Sequence, residues 1–319
     1  MHMPLRVLRW SRPCRNHFAH IRSSPTMSEV ESLLRSVAPE FGATLSNGAG
    51  AVDATIEISL PSGKTRSFAL LLTIHGYYVF VQEKKASPQL PQCCPDRHIN
   101  PGGTFCLGWK DDSPSEVRDE AAARRWWSAV VRFLSRQINA SYRRKWAGQE
   151  YDRAHGDAAV HQAAAEAAAE KLGPDFSGRA RRGNFTVRLD EHLRGPRIEL
   201  WGDGRRLARI TKRGGSLVGG HTYCPCDPSG KIEISRCQDH AKHLENYISS
   251  YYLWRVSEDK FMDDLANQGV ACCGTLISCG LRDAHSRLNQ LTKPTAKPNV
   301  RRSKFYQPPK PSKRPRRAR

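Results

Sequence analysis

No run of apolar residues in this 319-residue chain approaches the roughly 18 needed to cross a bilayer as a helix, so no membrane role is expected. No glycine-rich phosphate-binding fingerprint occurs, which excludes nucleotide activation by the chain itself. The two halves share no internal repeat. Acidic residues are missing from both ends: residues 1–26 carry five Arg, and residues 293–319 carry eleven Lys or Arg. Of the net charge of +20, only about +4 therefore falls on the residues between. The body is close to neutral, which argues against a nucleic-acid-binding core.

The basic tail over residues 293–319 is rich in Pro, Lys and Arg. It cannot bury enough apolar surface to fold, so it is expected to be disordered. Its charge suits loose contact with nucleic acid or another acidic partner. The leader over residues 1–26 lacks the apolar core of a secretory signal. It is expected to be disordered or the product of an overcalled start, because helical patterning begins at Met27. There Ser28 and Glu31 have the spacing of a capping box, and Val30, Leu33, Leu34 and Val37 form one stripe. Ten cysteines without a secretion signal argue against a disulfide framework. They favour metal binding or thiol chemistry in a reducing, cytoplasmic setting.

Strands follow the first helix. "ATIEISL" alternates, with Ile56, Ile58 and Leu60 on one face, and "PSGK" is a turn. "FALLLTI" and "YYVFVQ" read as a mostly buried hairpin joined at His75–Gly76. Regular structure then stops, because four prolines lie between Lys84 and Gly103. A helix starting near Pro114 or Ser115 buries Trp127, Val130, Val131, Leu134 and Ile138, with Trp126 and Phe133 beside them. A further helix, capped by Asp157 and stopped at Gly173–Pro174, leads to a boundary near residue 174. The second half offers three strands ("NFTVRLD", "RIELWGDG", "RRLARITKR") and a cysteine cluster. Helical stretches follow around Leu244–Tyr252 and Asp259–Leu265.

Between Arg97 and Trp109 runs "RHINPGGTFCLGW". Taken alone, Cys106 has several readings. It can be a buried thiol, a zinc ligand with Cys93, Cys94 and His98, or a nucleophile paired with His98. The Gly-Gly turn before it favours exposure. A carrier of acyl groups needs a thiolate that stays open to a second nucleophile, and it needs no base at the sulfur.

The order of helix, antiparallel meander, irregular segment, His-x-Asn, glycine turn, Cys and Trp-bearing helix resembles the ubiquitin-conjugating family. His98-Ile99-Asn100 is similar to its His-Pro-Asn, with Ile99 in place of proline. Gly103-Thr104-Phe105-Cys106-Leu107 is similar to the stretch that carries its thioester cysteine. The resemblance is closest to bacterial members from ubiquitin-like conjugation operons, several of them linked to anti-phage defence. It implies an acyltransferase in which Cys106 is the nucleophile. Asn100 would stabilise an oxyanion or hold the loop that does, and His98 would brace the turn. It further implies a ubiquitin-like modifier, a separate activating enzyme and an amine, typically lysine, on a protein target. Asn100 lies six residues before Cys106, a shortened spacing, and Asp111 and Asp112 do not identify themselves as an acidic gate.

"HTYCPCDPSGKIEISRCQDHAKH" offers Cys224, Cys226, Cys237 and His240 as zinc ligands, with His243, Cys272, Cys273 and Cys279 as further candidates. The expected class is α+β. The expected division is a disordered leader 1–26, a conjugating-like catalytic domain 27–174, a smaller cysteine-rich domain 175–292 with structural zinc, and a basic tail 293–319. The competing class is a non-catalytic zinc-binding scaffold that uses its basic tail to hold nucleic acid.

Overall fold

A computed structural model describes residues 27–47, 51–86, 88–109, 114–147, 152–191, 193–218, 222–225, 227, 230–237 and 240–292. The leader 1–26, the tail 293–319, Asp111, Asp112 and Cys226 lie outside the described residues. The class is α+β, as expected, with two antiparallel sheets flanked by helices.

Helix α1 (Met27–Val37) buries Val30, Leu34 and Val37, the spacing of one helical face. It is already helical at Met27, so Ser28 sits inside it rather than at a cap, and Glu31 pairs with Arg35 at 2.5 Å. Four strands follow in sequential antiparallel order: β1 (Ala43–Asn47), β2 (Val52–Ser59), β3 (Thr65–His75) and β4 (Tyr78–Glu83). The hairpin of β3 and β4 is buried on one face only. Phe68, Leu70, Leu72, Ile74, Val79 and Val81 point inward, whereas Phe80 remains exposed. That alternation is what one-sided packing of an antiparallel sheet requires. Across that face lies α2 (Glu120–Arg143), which starts later than its sequence suggested. Asp119 caps it by accepting from the Ala122 N–H at 2.7 Å. Trp126 and Trp127 are fully buried and stand edge to face at 4.8 Å. Their N–H groups donate to the carbonyls of Val79 and Leu34. They are core residues.

Helices α3 (Ala158–Lys171) and α4 (Pro174–Arg181) are separated by Gly173, which takes a φ of 103°. Asp157 occupies the position before α3 but makes no side-chain cap bond. A second sheet of β5 (Phe185–Asp190), β6 (Arg197–Gly202) and β7 (Arg205–Thr211) follows. Its β6–β7 turn is Asp203-Gly204 with positive φ at both residues, as a two-residue hairpin demands. The two helical stretches expected after the cysteines are one continuous helix, α5 (His240–Asn267). A last helix, α6 (Gly280–Thr292), packs against its end. Helix α3 packs along α5 and contributes Ala165, Ala168 and Ala169 to a second core with Phe176, Phe185, Leu200, Ile210 and Ile248. Helix α5 thus links that core to a third, formed by Met262, Leu265, Cys279 and Leu281.

Candidate active site and metal centre

The irregular segment after β4 is held by a short ladder. Cys94 and Ile99 exchange both backbone hydrogen bonds at 3.0 Å, around a 3-10 turn at Pro95–Arg97. His98 closes that turn in the left-handed region with φ 56°. Ile99 is buried, and its N–H donates to the Cys94 carbonyl. Proline has no N–H and could not make that bond. Asn100-Pro101-Gly102-Gly103 forms the next turn. The Gly103 N–H donates to the Asn100 carbonyl at 2.9 Å, and Gly102 has φ 96°. Pro and Gly suit the two central positions of a type II turn. The Asn100 side-chain amide donates to Thr104 Oγ1 at 3.3 Å, across that turn. The Phe105 N–H then donates to Val81 of β4, and the Cys106 N–H to the His98 carbonyl at 2.8 Å. Phe105 anchors the strand end by stacking on Phe133 of α2, with ring centres 4.4 Å apart.

Cys106 is half-buried, with Sγ 3.8 Å from the Gly108 carbonyl. Burial pushes its thiol up from the ordinary value, and the negative charge of Asp152 pushes in the same direction. Asp152 accepts from Arg136 Nη1 and Trp146 Nε1, each at 2.6 Å, and lies 3.6 Å from His98 Nε2. The His98 ring stacks on His155 at 5.4 Å, and His155 stacks on Phe261 of α5 at 4.8 Å. His155 Nδ1 lies 2.5 Å from Glu258 Oε1 and Nε2 lies 3.0 Å from the Pro95 carbonyl. Both partners are acceptors, so this setting favours the imidazolium, in which both ring nitrogens donate. Burial lowers the His155 pKa, but the Glu258 hydrogen bond and charge outweigh it, and the net direction is upward. Burial pushes His98 down to about 4, and the positive His155 beside it adds to the effect. His98 is therefore neutral near pH 7.

The structure thus brings His98, Asn100 and Cys106 onto one braced hairpin. It also adds Asp152, His155 and Glu258, which sequence reasoning missed. Among the described residues, one group of three or more His, Cys, Asp or Glu converges as a metal site would, and it consists of Cys224, Cys237 and His240. The zinc alternative built on Cys93, Cys94, His98 and Cys106 does not converge.

In the second domain Cys224 and Cys237 place their sulfurs 3.1 and 3.2 Å from His240 Nδ1. Cys224 is buried beside the Tyr223–Glu233 bridge, where its N–H donates to the Ile232 carbonyl, and His240 opens α5. Asp227 folds the intervening turn by accepting from the N–H groups of Lys231 and Ile232, both at 2.8 Å. Two soft thiols and an imidazole suit zinc, whose bonds are ~2.3 Å to sulfur and ~2.0 Å to nitrogen. His243, one turn further along α5, is not part of the group. Cys272, Cys273 and Cys279 gather elsewhere. Cys272 meets Cys279 at 3.3 Å, and Cys273 meets Cys94 at 3.0 Å.

No described helix is long and apolar enough to cross a membrane. Residues 41–148 match the family model described as a prokaryotic E2 domain, and residues 154–281 match that of a cysteine-rich domain C-terminal to the E2 domain. No curated protein and no solved structure matches the chain. The hairpin that carries Cys106 lies within the first match and the Cys224–Cys237–His240 group within the second, so the chain is similar in arrangement to a prokaryotic E2 domain followed by a cysteine-rich domain.

Proposed function

We propose that the chain is a conjugating enzyme whose Cys106 carries a ubiquitin-like protein as a thioester. The Cys106 sulfur attacks the thioester carbonyl presented by a separate activating enzyme, and that enzyme's thiol leaves. An amine, typically a target lysine, then attacks the carbonyl and the Cys106 sulfur leaves. Exchange between two thioesters is close to neutral in energy, so no base is needed at the sulfur. The observation that carries this reading is the mounting of Cys106. Its N–H is fixed to His98 and its chain is pinned to β4 and α2, within the prokaryotic E2 match. Such bracing suits a sulfur that must meet two partners in turn.

In this reading His98 acts through its carbonyl, which holds the Cys106 N–H, while its neutral ring fills the space beside Asp152. Asn100 holds the glycine turn through Thr104. It either keeps that role during transfer or swings its amide to the oxyanion, where one such donor is worth ~10²–10³ in rate. The second domain holds structural zinc through Cys224, Cys237 and His240, with Cys226 as the fourth ligand. The setting is a bacterial conjugation operon of the anti-phage kind, in the cytoplasm, with the basic tail making loose acidic contacts.

The test is an incubation with the neighbouring activating enzyme, the modifier and ATP, read on non-reducing gels. A thiol-sensitive adduct that disappears in Cys106→Ala is the expected result. A scaffold without catalysis would give no adduct even when the activating enzyme is demonstrably charged, and that outcome would end the proposal.

A further inference from the structure

A second pair of thiols lies away from Cys106 and joins the two family modules. Cys94, at the start of the catalytic hairpin, and Cys273, in the loop between α5 and α6, place their sulfurs 3.0 Å apart. They belong to a small interdomain cluster with Ala140, Trp146 and Leu276. The same contact is reinforced on both sides. Asp96 accepts from the Gly280 N–H at 3.0 Å, and Arg97 donates to Thr275 Oγ1 at 3.0 Å. The Ile277 N–H donates to the Arg144 carbonyl at 2.9 Å.

Arg97 makes this pair unusual. Its side chain is 1% exposed, a costly place for a charge unless an anion lies nearby. Yet its guanidinium donates to Gln137, Ser141 and Thr275, all of them neutral groups. The groups of potential negative charge that act on it are the Cys94 and Cys273 sulfurs. Cys273 also has Thr275 Oγ1 at 3.0 Å. A cation and a hydroxyl beside one member of a thiol pair favour its thiolate, the form that reacts. An open cleft of about 370 Å³, lined in part by Leu90, Arg97, Ser141 and Thr275, reaches the groups that surround this sulfur.

We propose that Cys94 and Cys273 are an oxidant-responsive dithiol whose disulfide ties the cysteine-rich domain to the catalytic hairpin. The oxidant is a hydroperoxide. The Cys273 thiolate attacks the terminal peroxide oxygen, giving a sulfenic acid and releasing the alkoxide, which is hydroxide for hydrogen peroxide. The Cys94 thiol then attacks the sulfenic sulfur, forming the S–S bond and releasing water. For hydrogen peroxide, two thiols and one peroxide give one disulfide and two waters. A thiol–disulfide exchange with a cellular dithiol reverses it. In a reducing compartment such bonds are transient and regulatory rather than structural. Oxidation removes the anion facing Arg97 while fixing the loop that Arg97 touches.

The test uses the full chain. It is treated with hydrogen peroxide, its remaining thiols are blocked with iodoacetamide, and its peptides are mapped by mass spectrometry. The expected product joins the peptides bearing Cys94 and Cys273, lighter by two hydrogens than their sum, with fragment ions placing the bond at those two residues. A dithiol reductant separates them, and Cys273→Ser loses the product while leaving Cys94 open to alkylation. Because the first readout is made on the unaltered chain, it does not depend on the variant folding. A bond confined to Cys272 and Cys279, or thiols that remain alkylatable under excess peroxide, overturns the proposal. So does a zinc content that falls by one equivalent in Cys273→Ser, because the sulfurs would then be metal ligands.

Discussion

Cys106 meets an environment that favours the thiol over the thiolate, through burial and the Asp152 carboxylate. A carrier that must not react with stray electrophiles benefits from this, because only a docked thioester then competes for the sulfur. Asp152→Asn removes the charge and keeps one acceptor oxygen, so one of the two donors, Arg136 or Trp146, loses its partner. The substitution should lower the Cys106 pKa and speed its alkylation near neutral pH by about two- to tenfold. The pH profile of Cys106 labelling checks this, and an unmoved midpoint would remove Asp152 from the account. Ile99 is a second brace of the same hairpin. The family resemblance marks its position as one for proline, but here the buried N–H is spent on the Cys94 carbonyl. Ile99→Pro deletes that bond and a buried side chain. It also places proline after His98, whose left-handed backbone proline disfavours. The expected loss is about 2–4 kcal/mol, read from the denaturant midpoint. A wild-type midpoint would show that the ladder around the hairpin is dispensable.

Among the elements, periodicity made legible what a single face decides. The stripe on α2, the alternation in β2 and the three strands of the second sheet were all readable, because each buries one side against a core. Strand β1 was missed: it is five residues long and draws its stability from pairing with β2. Helix α5 read as two pieces because its core-facing residues belong to two different cores, so no single stripe runs its length. The same limit governs the site. His98, Asn100 and Cys106 lie within nine residues and were found by spacing. Glu258 lies 103 residues from His155, and no local pattern distinguishes it from a solvated acid. That contact sets the docking of α5 on the hairpin, and its pH dependence follows from the two shifts. His155 is raised, so its contribution is full below about pH 6.5 and is lost as pH climbs through its folded value. Glu258 is lowered by the His155 hydrogen bond and charge, which overcome burial. Its contribution is full above about pH 4.5 and is lost as pH falls through its folded value. Glu258→Gln should therefore cost about 1–3 kcal/mol near pH 5.5 and less near pH 8.5. Thermal melts at the two values check it; an equal cost at both would show that His155 carries no charge.

Across the fold as a whole, the Cys106 hairpin and the Cys224–Cys237–His240 group lie in separate cores bridged by α5. His240, at the first turn of α5, is the ligand that would tie the Cys224 and Cys237 loops to the second core. Glu258 and Phe261, further along α5, are what the Cys106 hairpin contacts through His155. A metal bound only in the folded state adds its binding energy to the stability of the unit that holds it. Removing it should thus loosen one part of the chain and spare another. Chelation, or Cys237→Ser, should raise hydrogen exchange in β5, β6, β7 and the first turns of α5. Strands β2 to β4 and α2, whose core contains none of the ligands, should keep their protection. The amides of Ile99 and Cys106 form the diagnostic between these extremes. They should exchange faster only as far as α5 carries Glu258 away from His155, so their change should be smaller than that of the second sheet. A uniform rise across both sheets would mean that the two cores unfold as one unit. No rise anywhere would mean that the Cys224–Cys237–His240 group holds no metal that matters to the fold.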